Sequence, residues 1–191
     1  MEAFLISTSV VALAEIGDKT QLLAFILAAK YRKSLTIILG ILVATLVNHA
    51  LAAALGAWLP SLMKPEILRW VLGLSFIGMA VWTLIPDTFD ERDATLTRMG
   101  VFGTTLIAFF LAEMGDKTQV ATVALAAQYH AFFIVLAGTT LGMMIANVPA
   151  VLLGERIAHR MPVRLVHTIA AAIFAMLGIA TLLGAGERIG I

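Results

Sequence analysis

Ala14-Glu15-Ile16-Gly17-Asp18-Lys19-Thr20-Gln21 interrupts one hydrophobic stretch of the chain, and Ala112-Glu113-Met114-Gly115-Asp116-Lys117-Thr118-Gln119 interrupts another, 98 residues later. Only Ile16 against Met114 differs between the two octapeptides. Carboxylates and ammonium groups are costly inside a bilayer, and where they occur in a span they mark ion or proton pathways. Two acids and a lysine repeated in two apolar segments therefore point to an ion-binding site within a membrane.

Working outward, the surroundings of both motifs are apolar enough to demand a bilayer. Hydrophobic residues make up 61% of the 191 positions and charged residues only 13%, far from the balance of a soluble domain. Four runs carry no ionised residue, Leu35 to Leu62, Val71 to Ile85, Ala131 to Gly154 and Thr168 to Gly186. Each reads as a transmembrane helix. Ala3 to Ala29 and Val101 to Ala127 are long enough to cross once with the octapeptide near the centre. The expected fold is thus an all-α polytopic membrane protein of six spans. No basic n-region or cleavage site follows Met1-Glu2, so the first span is expected to be retained. Cysteine is absent, which excludes thiolate metal sites, and a net charge of +1 carries no nucleic-acid signal.

The 98-residue offset extends beyond the octapeptides. Gly40, His49 and Gly56 correspond to Gly138, Asn147 and Gly154. The repeating unit is three helices, 1–86 and 99–191 of a single transmembrane domain, joined by an acidic link at 87–98. Because three is odd, the second copy enters the membrane from the opposite side. Such inverted repeats place motif helices 1 and 4 together at the midplane, an architecture of secondary transporters.

Basic residues set the expected orientation. The links after spans one, three and five hold Lys30, Arg32, Lys33, Arg92, Arg98, Arg156, Arg160 and Arg164, against Lys64, Arg69 and Arg188 on the other side. The first set is expected to be cytoplasmic and both termini periplasmic. Asp87, Asp90, Glu91 and Asp93 in the third link read as a solvated connector. Tyr31, Trp58, Trp70, Trp82 and Tyr129 fall near span ends, where amphipathic rings settle.

Within each motif, a continuous helix puts Glu15, Asp18 and Lys19 on one face, as it does Glu113, Asp116 and Lys117. Thr20 and Thr118 then point elsewhere, toward the backbone one turn back. Gly17 and Gly115 offer the other arrangement, an unwound segment whose carbonyls are open to a cation. The metal ligands are expected to be Glu15, Asp18, Glu113 and Asp116, with Lys19 and Lys117 compensating charge and Thr20 and Thr118 supplying hydroxyls. Gln21, Gln119, Asn48, His49 and Asn147 are candidates for further ligands or a proton relay. Pro149 is expected to kink span five and free the Ile145 carbonyl. Oxygen-rich donors of this kind suit hard divalent cations.

Each motif carries a net charge of −1 and the pair −2, which one divalent cation or two protons would cancel. An empty ionised site in low dielectric is strongly disfavoured, so exchange of metal for protons follows. A divalent-cation channel could use the same acids. An intramembrane aspartyl hydrolase built on Asp18 and Asp116 is a further alternative, opposed by the lysine beside each aspartate, which favours ionising both acids.

The doubled pattern Glu-x-Gly-Asp-Lys-Thr, at Glu15 to Thr20 and Glu113 to Thr118, resembles that of the cation/proton antiporter family of the Golgi calcium/manganese transporters and bacterial MneA-type manganese exporters. The resemblance covers essentially the whole chain. It implies a transporter, not an enzyme, that exports Mn2+ or Ca2+ from the cytosol in exchange for H+. It also implies no prosthetic group, with the motif acids binding the ion. The compact length and missing targeting extension look bacterial, so the inner membrane is the expected location.

Overall fold

The computed structural model describes residues 1–85, 99–153 and 163–184, and these are helical nearly throughout. The order is α1 Glu2–Glu15, α2 Lys19–Tyr31, α3 Ser34–Leu62, α4 Pro65–Thr83, α5 Gly100–Glu113, α6 Lys117–Tyr129, α7 Phe132–Leu153 and α8 Val163–Leu182. The acidic link at 87–98 and residues Gly154, Arg156, Arg160, Gly186 and Arg188 lie outside the described residues.

Helices α3, α4, α7 and α8 are long and apolar enough to cross a membrane. The motif segments are not continuous helices. At 14 and 13 residues, α1 and α2 are each about 20 Å long, short of the ~30 Å hydrocarbon core, and α5 and α6 have the same two lengths. Only end to end would either pair be long enough to cross. The breaks are alike: Ile16 and Met114 are extended (ψ 116° and 119°), and Asp18 and Asp116 start the next helix with ψ 169° and 166°. Gly17 and Gly115 take φ of 85° and 78°, a backbone region that side chains avoid and glycine enters freely. The unwound arrangement therefore replaces the shared helix face for Glu, Asp and Lys.

The ends of the long helices also shift from the expectation. α4 starts at Pro65, six residues before the uncharged run at Val71, and α8 at Val163, five before Thr168. Glu66, Arg69 and Arg164 are helical because proline is preorganised for a first turn, while charged side chains near span ends reach the interface.

Two apolar cores flank the buried polar residues. One joins Val10 and Ala14 of α1, Leu68 to Ala80 of α4, Ala121 to Ala127 of α6 and Phe174 of α8. The other joins Leu23 to Leu27 of α2, Ile37 and Ile41 of α3, Ala108 to Ala112 of α5 and Val151 of α7. Lipid-facing residues remain apolar, with Leu35 and Phe133 among the most exposed. Close helix packing repeats at the 98-residue offset. A Cβ on Gly40 would meet Thr105 Cβ at 2.8 Å and the Phe102 carbonyl at 3.2 Å. One on Gly138 would meet Ser7 Cβ at 2.9 Å and the Phe4 carbonyl at 2.8 Å. Thus α3 lies against α5 as α7 lies against α1.

Candidate functional site

The two breaks bring the motif side chains to one buried place. Glu15 ends α1 and Glu113 ends α5, while Asp18 and Asp116 occupy the residue before α2 and α6. All four carboxylates are buried. Gln21 folds back so that its Oε1 accepts from the Gly17 N–H at 2.9 Å, and Gln119 does the same for Gly115 at 2.7 Å. Each glutamine thereby satisfies a donor that the break exposes.

The lysines pair across the motifs. Lys117 Nζ donates to Asp18 Oδ1 at 2.8 Å, with both side chains fully buried. Lys19 Nζ lies 3.5 Å from Asp116 Oδ1, with a quarter of the lysine side chain exposed. Each ammonium thus faces an aspartate of the other motif, tying the two breaks together. Sequence reasoning gave the lysines charge compensation but put them beside their own acids. A lysine that opens the helix after a break reaches the aspartate of the facing break at ion-pair distance.

Each aspartate thereby faces an ammonium, and each glutamate accepts from a threonine of its own motif. Thr20 donates to Glu15 Oε2 at 2.6 Å and Thr118 to Glu113 Oε2 at 3.1 Å. The threonines therefore do not turn away to the backbone, because the projection of a continuous helix fails across the break. Glu15 Oε1, Glu113 Oε1 and Asp116 Oδ2 are buried without a hydrogen-bond partner. One ligand oxygen from each of Glu15, Glu113 and Asp116 can be chosen so that all lie within 4.8 Å of one another. Like charges this close in low dielectric require a cation or protons. Among the described residues, this is the group of three or more acids or histidines compact enough to hold a metal ion.

The amides form a frame around the acids. Gln21 Nε2 donates to the Ala146 carbonyl at 3.0 Å, and Gln119 Nε2 donates to Asn48 Oδ1 at 2.6 Å, with Asn48 Nδ2 passing on to the Phe110 carbonyl at 3.1 Å. The carbonyl reached near Pro149 is that of Ala146, one residue beyond Ile145. Asn147 Nδ2 is bonded back to the Met143 carbonyl at 3.1 Å, leaving its Oδ1 buried and unpartnered. His49 is fully buried with neither ring nitrogen bonded, and it does not join the three-acid group. One contact was not anticipated. His167 of α8 places Nε2 at 2.7 Å from the Ile16 carbonyl. The sequence carries no signal for it, because the 98-residue offset pairs His167 with Arg69 and the carbonyl is free only where the helix breaks.

The profile described as divalent cation/proton antiporter GDT1 matches residues 3–91 and 101–188, spanning both motifs. A Vibrio cholerae protein provisionally named a manganese exporter is 52% identical over 182 residues, covering 95% of this chain and 90% of that one. GDT1-like protein 3 of Oryza sativa subsp. japonica is 28% identical over 200 residues, covering 91% of this chain and 71% of the rice protein. GDT1-like protein 5 of Arabidopsis thaliana is 27% identical over 221 residues, with 96% of each chain covered. No solved structure matches the chain. Two buried acidic motifs, both inside the matched segments, and end-to-end similarity to these proteins place the chain in the GDT1 family of divalent cation/proton antiporters.

Proposed function

We propose that the protein exports Mn2+ from the cytosol in exchange for protons, with Ca2+ as a second substrate. Glu15, Glu113 and Asp116 hold the ion, and Asp18, bonded to Lys117, completes the acidic set. One observation carries this reading. With Lys117 set against Asp18 and Lys19 against Asp116, the uncompensated charge of the site is that of Glu15 and Glu113, two negative charges with an unbonded oxygen on each. One divalent cation or two protons cancels it, and the empty ionised site is the costly state. Movement of the site between the two sides is then coupled to its loading.

The chain forms six crossings as two inverted repeats, 1–86 and 99–191, with each broken pair counted as one crossing. Matching break dihedrals and the Gly40 and Gly138 contacts support this reading. The membrane is the bacterial inner membrane, with both termini periplasmic, as the distribution of Lys and Arg favours. Manganese specifically is supported by the provisional name of the Vibrio relative.

The test is metal uptake by liposomes that contain the purified protein and a pH-sensitive dye. Manganese entry is expected to drive protons out, and Glu15→Gln is expected to abolish both fluxes. Metal flux without proton movement would convert the reading to a channel.

A further inference from the structure

The two halves match at the breaks and differ in how α4 and α8 lie on them. Under exact two-fold repetition, α8 would touch α1 as α4 touches α5, and α4 would touch α6 as α8 touches α2. The structure instead has both helices on one side: α8 packs on α1 and α4 on α6, with no comparable packing of α4 on α5 or α8 on α2 among the described residues. Both helices contribute to the apolar core around α1 and α6 and neither to the core around α2 and α5.

The first break is covered as a result and the second is not. Ile16 and Gly17 are half-buried, and His167 reaches the Ile16 carbonyl at 2.7 Å. A carbonyl only accepts, so Nε2 of His167 carries the hydrogen. Met114 and Gly115, the equivalent pair, are exposed. The residue 98 positions before His167 is Arg69 of α4, whose Nε is buried without a partner among the described residues. Arg69 is the unused counterpart of a contact that His167 makes.

α4 and α8 pack closely on each other. A Cβ on Gly178 would sit 2.7 Å from Ile77 Cγ1 and 2.9 Å from the Gly73 carbonyl, so the two backbones meet without side chains between them. By contrast, a cavity of about 420 Å3 opens between α2 and α7, lined by Phe25, Ala28, Arg32, Val151 and Leu153. In the proposed orientation α1 and α6 are the periplasmic halves of their crossings, and α2 and α5 the cytoplasmic halves.

We infer that α4 and α8 form a paired gate with two alternative latches, His167 on the Ile16 carbonyl and Arg69 on the Met114 carbonyl. The structure is the state closed to the periplasm. In the opposite state the pair lies over α5 and α2, His167 is released and Arg69 takes hold of the second break. This rests on the inverted-repeat reading above and adds the direction of opening and the two residues that mark it.

The natural absence of cysteine makes the test clean. Ile16→Cys with His167→Cys is expected to form a disulfide that stops manganese transport at least tenfold, restored by reduction. Arg69→Cys with Met114→Cys is expected to be bridged by a bifunctional methanethiosulfonate reagent in the same membranes, with the same reversible block. Adding His167→Ala to the second pair is expected to raise its bridging by about two- to tenfold, the weight of one lost hydrogen bond. Should the Arg69 variant not fold, Met114→Cys alone reports the same change, its alkylation rate differing at least about twofold between opposite proton gradients. The gate is wrong if a transporting protein never bridges 69 to 114, if bridging 16 to 167 leaves transport unchanged, or if alkylation at 114 ignores the gradient. Any of these leaves the antiporter reading standing, whereas both bridges in a protein that moves no metal would remove that reading and keep the gate.

Discussion

Lys117 and Lys19 hold the same place in two copies of one motif but differ in environment. Lys117 and Asp18 are fully buried at 2.8 Å, whereas Lys19 reaches Asp116 at 3.5 Å with a quarter of its side chain exposed. Removing one partner of a buried pair leaves a desolvated charge behind, so Lys117→Met is expected to destabilise the protein by about 3–5 kcal/mol. Lys117→Met together with Asp18→Asn is expected to recover most of that loss. Water screens the Lys19 pair, and Lys19→Met is expected to cost about 1 kcal/mol or less. Urea unfolding in detergent, comparing the three variants, checks the order, and equal losses for the two lysines would refute it. The sequence made these residue identities legible, because paired charges in apolar runs need a use, but not who pairs with whom. The cross-pairing of Lys117 with Asp18 spans 99 positions and depends on two breaks meeting, which no spacing within one motif contains.

At the scale of the helix, the glycines of the two breaks can be separated from those of the helix contacts. A Cβ on Gly115 would meet nothing within 4 Å, so the cost of Gly115→Ala is that of φ 78° alone, about 1–2 kcal/mol. Gly138→Ala acts otherwise, driving a methyl group to 2.8 Å from the Phe4 carbonyl and forcing α7 off α1 at about 1–3 kcal/mol. Transport separates the two more sharply than stability. Gly115→Ala is expected to cut manganese flux by about five- to thirtyfold, because each 1.4 kcal/mol against the broken geometry is a factor of ten in its population. Proteoliposome flux measured beside thermal unfolding checks this, and a Gly115→Ala protein with full transport would show that the break tolerates a side chain. Hydropathy located every long helix, since uncharged runs report lipid contact directly. It could not place the interruptions, because a glycine in a span is equally a close contact, as at Gly40, or a turn, as at Gly17. The helix starts at Pro65 and Val163 were missed for a related reason: charged first turns remain helical while their side chains reach water.

For the whole molecule, orientation converts geometry into direction of transport. The gate lies over α1 and α6, and whether that closes the periplasmic or the cytoplasmic side depends on which end of each crossing faces which compartment. The distribution of Lys and Arg favours Lys30, Arg32 and Lys33 inside, at the link between α2 and α3 beside the 420 Å3 cavity. The gate helices leave that end of the broken pairs uncovered, since α4 and α8 pack on α6 and α1. Single substitutions Lys33→Cys and Lys64→Cys settle the sides, since both residues are exposed and lie in the links at opposite ends of α3. In intact cells a membrane-impermeant thiol reagent is expected to label Lys64→Cys and to spare Lys33→Cys until the membrane is opened. The reverse pattern would turn the molecule over, make the present structure the one closed to the cytosol, and require Arg69 instead of His167 to engage when the site faces inward.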